Sequence, residues 1–398
     1  MSLRVLFMIS SMRGGGSERQ TLLILKHLDR SRFEPHLYLT ERTGELLGSV
    51  PSDVPIHSFD QHQSPMGWYY PGRRLNQQVA HLRQLLQSNE IDVVYDRTFH
   101  MTLIAGKACR KLGVPRVSTI VSPPHQALPM VERRFVRFKR SRLAKAYKES
   151  RTVVAVSRVA AASAEHYYGL EPQSVKVVYN PVEVAEFPDT PSPFEGLASE
   201  KIRLLCVGRM SGEKGHADLI KAMSSIELHE PGLASMLSLT LVGDGPLRES
   251  LQVLARQSVP SDRIQFVGVD PNAEKWIAAA DALILPSTFE GMPNVVLEAM
   301  ALRTPVIATR AGGTVELERD EPTVEWAEPK DPESLARAII QFAHHRNSSD
   351  QKVETAWRYV NEYHNVAKTI RKIESLLLGG DPHSAFRTEN TFAKGNER

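Results

Sequence analysis

The chain of 398 residues is 41% hydrophobic and 24% charged, which excludes a single small domain, a fibrous repeat and wholesale disorder. The formal net charge of +3 conceals an imbalance, because residues 1–190 carry 26 Lys and Arg against 17 Asp and Glu while the remainder carries 23 against 29. A basic first half suits an anionic surface, and the acidic second half argues against nucleic acid as a partner.

Short Val/Ile/Leu-rich runs alternate with amphipathic segments of helix length, the pattern of parallel strands covered on both faces by crossover helices. In chain order the expected strands are 5–10, 36–40, 91–95, 116–121, 152–156 and 175–179, then 202–207, 239–242, 264–267, 282–286 and 306–309. Between the two series, Pro181, Pro188, Pro191 and Pro193 with scattered acids favour an extended connection over a regular element. The expectation is therefore an α/β protein with domains at 1–185 and 195–355. A helix at about 358–378 is expected to pack back on the first domain, and 379–398 reads as a frayed, flexible tail.

Cys109 and Cys206 each sit in an apolar run outside any Cys-x-x-Cys or Cys/His spacing, so neither a disulfide framework nor a structural zinc site is expected. A reducing cytoplasm fits. The apolar stretch at the N-terminus runs into glycines rather than a small-residue cleavage site, and no segment approaches the roughly 18 apolar residues of a membrane span. Neither an export signal nor a transmembrane helix is expected.

Several turns carry residues suited to anionic ligands. The first strand runs into Gly14-Gly15-Gly16 ahead of a helix, where backbone N–H groups and the helix dipole favour phosphate. The loop has neither the third glycine of the dinucleotide fingerprint nor the Walker pattern, so a phosphate cradle and a plain strand-to-helix turn stay open. The second half opens with Gly208-Arg209-Met210-Ser211-Gly212-Glu213-Lys214-Gly215, where a planar guanidinium and an ammonium at a strand's carboxyl end suit a diphosphate. A further turn, Gly243-Asp244-Gly245-Pro246, follows the next strand. In the run from Leu285 to Met300 a loop carries Glu290, Asn294 is placed to cap a helix, and Glu298 lies in its early turns. Carboxylates accept hydrogen bonds from adjacent hydroxyls, so two of them beside helix N–H groups suit a sugar, a diphosphate and a ribose in sequence.

Glu290 and Glu298 with seven residues between them, the 208–215 turn, the Gly-Asp-Gly-Pro turn and the glycine-rich first loop occur in one order. In that order the chain resembles the retaining nucleotide-sugar glycosyltransferases of family 4, also called group 1. The resemblance is close from about 202 to 317 and recognisable at 3–28. It implies the GT-B fold, two Rossmann-like doubly wound domains facing across a cleft, with the acceptor on the first and the nucleotide sugar on the second.

It further implies that Arg209 and Lys214 neutralise the diphosphate, Glu298 holds the ribose and Glu290 holds the transferred sugar. Backbone at Gly291, Met292, Pro293, Asn294 and Val295 lines the pocket together with the Gly243 turn, Gly15 and Gly16 close from the other domain, and Val269 meets the base. The implied reaction retains configuration and needs no metal and no cofactor beyond the nucleoside diphosphate sugar as co-substrate. The resemblance also makes His125, after a first-domain strand, and its rival His100 candidates for the polar residue that many members carry near the reacting carbon, with an ordinary loop histidine as the other reading of each. A nucleotide-sugar epimerase or hydrolase on the same fold and a non-catalytic nucleotide-binding scaffold are the competing readings.

Residues 131–148 carry eight basic residues and one acid. On a helical wheel Val131, Phe135, Val136, Phe138, Leu143, Ala146 and Tyr147 share one half, while Arg133, Arg134, Arg137 and Arg140 fall on the other. A basic amphipathic helix of this kind suits an anionic membrane or a lipid-linked or saccharide acceptor, and a core helix with a solvated face has the same pattern. That contact would make the protein peripheral at the inner face of the cell membrane.

Overall fold

The computed structural model describes residues 2–60, 72–132, 134–183, 192–196, 200–346 and 350–382. The chain divides into two compact units, Met1–Pro181 with Val366–Arg398, and Val182–Asn365.

The first unit holds β1 (Leu3–Ile9), β2 (Phe33–Leu39), β3 (Ile56–Ser58), β4 (Val93–Arg97), β5 (Arg116–Ile120), β6 (Thr152–Ala155) and β7 (Lys176–Val177). They form a parallel sheet in the order β3-β2-β1-β4-β5-β6-β7. Its helices are α1 (Gly16–His27), α2 (Arg73–Ser88), α3 (Phe99–Leu112), α4 (Pro124–Val131), α5 (Val136–Lys148) and α6 (Arg158–Tyr168). Alternation along β1 explains the layering. Val5, Phe7 and Ile9 pack with Leu22 and Leu25 of α1, while Leu6 and Met8 pack with Val79 and Leu82 of α2 and Ile104 of α3. Successive strand side chains point to opposite faces, so a stretch apolar at every position, as Val5 to Ile9 is, needs helices on both.

The second unit holds β8 (Ile202–Val207), β9 (Leu237–Val242), β10 (Ile264–Gly268), β11 (Ala282–Leu285), β12 (Val306–Thr309) and β13 (Glu325–Ala327), in the order β10-β9-β8-β11-β12-β13. Its helices are α7 (His216–His229), α8 (Pro231–Ala234), α9 (Arg248–Ser258), α10 (Ala273–Ala279), α11 (Asn294–Ala301), α12 (Pro332–His345) and α13 (Asp350–Tyr363). The helix α14 (Val366–Leu377) belongs to the first unit, where Ile370, Ile373, Leu376 and Leu377 join the face of β1 that carries Phe7.

The segment expected at 358–378 is thus two helices, and only the second lies in the first unit. Val182 N–H donates to the His364 carbonyl at 3.0 Å, so the outgoing and returning chains run side by side. Residues 383–398 of the expected tail, and Pro188 and Pro191 of the connection, lie outside the described residues.

Two edge strands of three residues, β3 and β13, join those expected. The basic run is not one helix. α4 ends at Val131 and α5 begins at Val136, because the Glu132 carboxylate turns back onto the new helix. Its Oε1 accepts from the backbone N–H groups of Arg134 at 3.3 Å and Phe135 at 3.4 Å, and the chain breaks where these N-terminal donors find their acceptor. The shared apolar half of the wheel is divided as well. Leu143, Ala146 and Tyr147 are buried, whereas Val131, Phe135 and Phe138 are exposed. Arg133 lies outside the described residues.

Candidate active site

In both sheets the strand order reverses at one point, between β8 and β11 in the second unit and between β1 and β4 in the first. Ligands of doubly wound sheets bind at the carboxyl ends of the strands flanking such a switch. In the second unit these ends carry the 208–215 turn and the 286–293 loop.

The two loops are bound to each other. Thr288 N–H donates to the Glu213 carbonyl at 2.7 Å, and Gly215, at φ +66°, lies so close to the Pro286 carbonyl oxygen that a Cβ would collide with it. Only glycine meets both demands. The join brings Lys214 Nζ to 2.6 Å from Glu290 Oε1, and Ser287 Oγ donates to the same oxygen at 2.7 Å. Glu290 is 9% exposed. Thr309 Oγ1 donates to the Ser287 carbonyl at 2.5 Å and Gly313 N–H to the Glu290 carbonyl at 3.0 Å, so β12 and the turn after it hold the main chain of the loop that carries the carboxylate. Burial pulls the Lys214 ammonium down, but the charge and hydrogen bond of Glu290, with Glu213, outweigh it and hold its pKa above the ordinary lysine value. An ammonium has three donors, so this pairing leaves others for a phosphate or a hydroxyl.

Around the pair, Arg209 is exposed at the end of β8, and Gly291, Met292 and Pro293 are buried. Asn294 is the first residue of α11 and not its cap. Pro293 takes the cap position with extended backbone at φ −80°. Proline has no N–H to leave unpaired there. Val295 and Glu298 follow on α11, half-buried. The Gly243 turn is tied to the neighbouring strand ends, since Gly243 N–H donates to the Gly268 carbonyl at 2.6 Å and Met210 N–H to the Asp244 carbonyl at 2.9 Å. Val269, next in the chain, is 59% exposed.

In the first unit the switch point carries the 14–16 loop and Thr98 with His100. Gly15 caps α1, and a Cβ there would stand 2.6 Å from Glu18 Oε2, so a carboxylate already attends this helix N-terminus. Thr98 holds φ +82° with its hydroxyl buried and without a partner among the described residues. A threonine in that region is strained, a cost that surrounding structure must enforce. The loop's support is polar and buried. Asp96 accepts from Thr102 Oγ1 at 2.5 Å, Ser118 Oγ at 2.7 Å and Arg116 Nη1 at 3.3 Å, and Arg97 donates to Asn180 Oδ1 at 3.0 Å.

His100 lies at the N-terminus of α3 near Lys139, Arg74 and Glu41. Partial desolvation, then the charges of Lys139 and Arg74, press its imidazole below the ordinary value against the pull of Glu41. Glu41 pairs in turn with Arg13 at 2.9 Å and Arg74 at 3.7 Å. His125 is on α4, one strand further from the switch, with Nδ1 2.7 Å from Ser163 Oγ. Arg134 and Arg137 are exposed. Arg140 is committed to its own fold, because Nε donates to the Tyr167 carbonyl at 2.5 Å and the guanidinium lies 4.5 Å from that ring's centre. Sequence reasoning missed Ser287, Thr98, Glu18 and the turn after β12. Thr98 stands out by a backbone angle and the turn after β12 by a partner distant in sequence, while Ser287 and Glu18 act on neighbours three residues away through side-chain directions that residue type does not signal.

Among the described residues no group of three or more His, Cys, Asp or Glu is placed to hold a metal ion. No helix among them is long and apolar enough to cross a membrane.

Comparison with known proteins agrees with this organisation. Residues 14–186 match the family described as Glycosyltransferase Family 4, and residues 190–358 that described as Glycosyl transferases group 1. An uncharacterised glycosyltransferase of Methanocaldococcus jannaschii, MJ1607, is 29% identical over 248 residues, 58% of this chain and 62% of its own. The lipopolysaccharide core biosynthesis glycosyltransferase LpsE of Rhizobium meliloti is 34% identical over 139 residues, 35% of this chain and 38% of its own. The match thus spans less than two thirds of these relatives' length. HepE of Anabaena, solved with UDP and glucose, superposes with a TM-score of 0.78 at 21% identity, covering 94% of this chain and 99% of that one. WaaG, a glycosyltransferase involved in lipopolysaccharide biosynthesis, does so with a TM-score of 0.72 at 18% identity, covering 94% and 100%. At these identities the structural likeness is one of fold, the two-domain Rossmann-like GT-B fold. With both halves matched and that fold shared, the chain belongs to the group 1, or family 4, glycosyltransferases.

Proposed function

We propose that this glycosyltransferase moves a sugar from a nucleoside diphosphate sugar to a lipid-linked or polysaccharide acceptor, with retention of configuration and without a metal. The observation that carries the reading is the Lys214–Glu290 pair at the switch point of the second sheet, with Arg209 on the same turn and Glu298 on the helix that follows. Arg209 and Lys214 offset the diphosphate, Glu298 receives the ribose hydroxyls, and Glu290, fixed by Lys214 and Ser287, receives hydroxyls of the sugar. The bond from the anomeric carbon to the phosphate oxygen breaks as the acceptor oxygen bonds to the same face. The acceptor proton passes to the departing phosphate oxygen. Catalysis is then positional and electrostatic, with no protein nucleophile.

Names among the relatives and neighbours favour this substrate class. HepE was solved with UDP-glucose, and a Campylobacter jejuni relative, 26% identical over 142 residues, is named for transfer to a diphospho-undecaprenol saccharide. Arg134 and Arg137, exposed on the first unit, suit an anionic membrane face that presents such an acceptor. The test incubates the protein with a panel of nucleoside diphosphate sugars, with and without lipid-linked acceptors, and reads product by mass and anomeric configuration by NMR. Acceptor-dependent product with the donor's configuration is expected. Free sugar released without acceptor identifies a hydrolase, and an inverted product refutes the front-face displacement.

A further inference from the structure

The turn between α4 and α5 presents an apolar surface that the transfer reaction does not use. Met130 and Val131 end α4, Phe135 precedes α5 and Phe138 lies in its first turn, and these side chains are 47%, 69%, 64% and 55% exposed. Four of the ten large hydrophobic side chains exposed among the described residues therefore fall within nine consecutive positions. They include both exposed phenylalanines. A scattered exposed leucine needs no explanation, but a cluster of this kind marks a contact surface.

The turn is built to hold that surface outward. Glu132 binds the backbone of Arg134 and Phe135 with one carboxylate oxygen and pairs with Lys139 Nζ at 2.6 Å with the other. Further along α5, buried Leu143 and Tyr147 anchor the helix in the core beside α6, and Ala146 packs close against Gly106 of α3. Cations flank the apolar tip. Arg134 and Arg137 are exposed, and the Arg142 guanidinium lies 4.1 Å from the centre of the Phe138 ring.

Apolar side chains flanked by arginines match an anionic leaflet, phosphates outside and acyl chains within. A second copy of this chain matches poorly, because tip against tip would set Arg134 and Arg137 against their own kind. α5 runs from the tip back to the start of β6 at Thr152, and the strands are parallel, so the tip stands on the carboxyl side of the first sheet. His100 stands at that end too, and its charge environment includes Lys139.

We infer that Met130, Val131, Phe135 and Phe138 enter the interfacial zone of an anionic bilayer, so that the first unit is held by insertion as well as by charge. The inference rests on the membrane contact in the function proposed above, but not on the transfer chemistry. Insertion sets the carboxyl edge of the first sheet at headgroup depth, where a lipid-linked acceptor need not leave the bilayer to react.

The test places a nitrobenzoxadiazole label on Phe135→Cys in the full chain, where Cys109 and Cys206 are both buried. Vesicles of phosphatidylcholine, with and without phosphatidylglycerol, and with nitroxide on the acyl chains, are then added. With anionic vesicles the emission is expected to brighten, shift to the blue and be quenched by the nitroxide, and to remain so for protein still bound at raised salt. The pair Phe135→Ser and Phe138→Ser, at exposed positions, should weaken vesicle binding about tenfold or more through lost apolar burial, with nucleoside diphosphate affinity unchanged. Vesicle binding without a label response overturns insertion and leaves adsorption by charge. A label response to protein concentration alone assigns the tip to a second copy. Absence of any vesicle binding overturns the membrane contact as a whole, while acceptor-dependent product formation tests the transferase reading separately.

Discussion

Glu290 commits one carboxylate oxygen to Lys214 and Ser287, so its substitution acts on two partners at once. Glu290→Gln keeps the shape but removes the charge opposite Lys214, and turnover should fall about 10²-fold or more, in the range seen when a preorganised electrostatic contact is removed. Nucleoside diphosphate affinity, read by calorimetry, should change far less, because the sugar is the proposed ligand of this carboxylate. Arg209→Ala and Glu298→Ala should act the other way, each weakening nucleoside diphosphate binding about tenfold or more through loss of a charge-assisted hydrogen bond. Unchanged affinity in both would place the donor elsewhere. Chelation should leave turnover intact, and loss restored by magnesium or manganese would refute charge neutralisation by Arg209 and Lys214. All four residues were legible because each lies in a local strand-to-turn or turn-to-helix pattern. Their pairing was not, since Lys214 meets Glu290 across 76 positions. Thr98 was hidden too, because its interest lies in a φ of +82°.

Among the elements, strands buried on both faces announced themselves as continuous apolar runs. β3 and β13, three residues each, are too short for periodicity to register. The run 131–148 misled for a physical reason. Its wheel is amphipathic over the whole length, but Glu132 breaks it, and the first part of its apolar face has no core to meet. Edge strand β3 also sets His57 against His36, with ring nitrogens 3.0 Å apart, and near His81 of α2.

Desolvation first, then the fields of His36 and His81, lowers the His57 pKa from 6.5 to about 4. His36 is lowered as well, by burial and the nearby Arg4 against the pull of Glu34. In the second unit burial, then Lys214, brings His216 from 6.5 to about 4, against the pull of Glu213. The folded protein prefers these imidazoles neutral, so between about pH 6.5 and 4 the unfolded chain binds more protons and stability declines as pH falls. Melting temperature recorded against pH should drop through that window, and His57→Gln should flatten part of the drop. A variant that follows the parent's curve would remove His57 from the account.

At the scale of the whole molecule, the chain crosses between units twice, and the return through α14 completes the core behind Phe7. Two cores with separate helical layers should unfold as separable transitions. Phe7→Ala should lower the one belonging to the first unit, and Leu204→Ala the one belonging to the second, each by the ~2–5 kcal/mol that large-to-small core substitutions cost. With the transitions assigned, a ligand that binds only one folded unit raises only that unit's transition, by about 2.7 kcal/mol at a hundredfold excess over its dissociation constant. UDP, or whichever nucleoside diphosphate binds, should therefore raise the transition sensitive to Leu204→Ala, because Arg209, Lys214 and Glu298 all lie in that unit. The transition sensitive to Phe7→Ala should stay in place. A rise of the first-unit transition alone would contradict the assignment of the donor to the second sheet. Equal rises of both would mean that Gly15 and Gly16 bind the nucleotide as strongly as the second unit does, despite the carboxylate of Glu18 beside them.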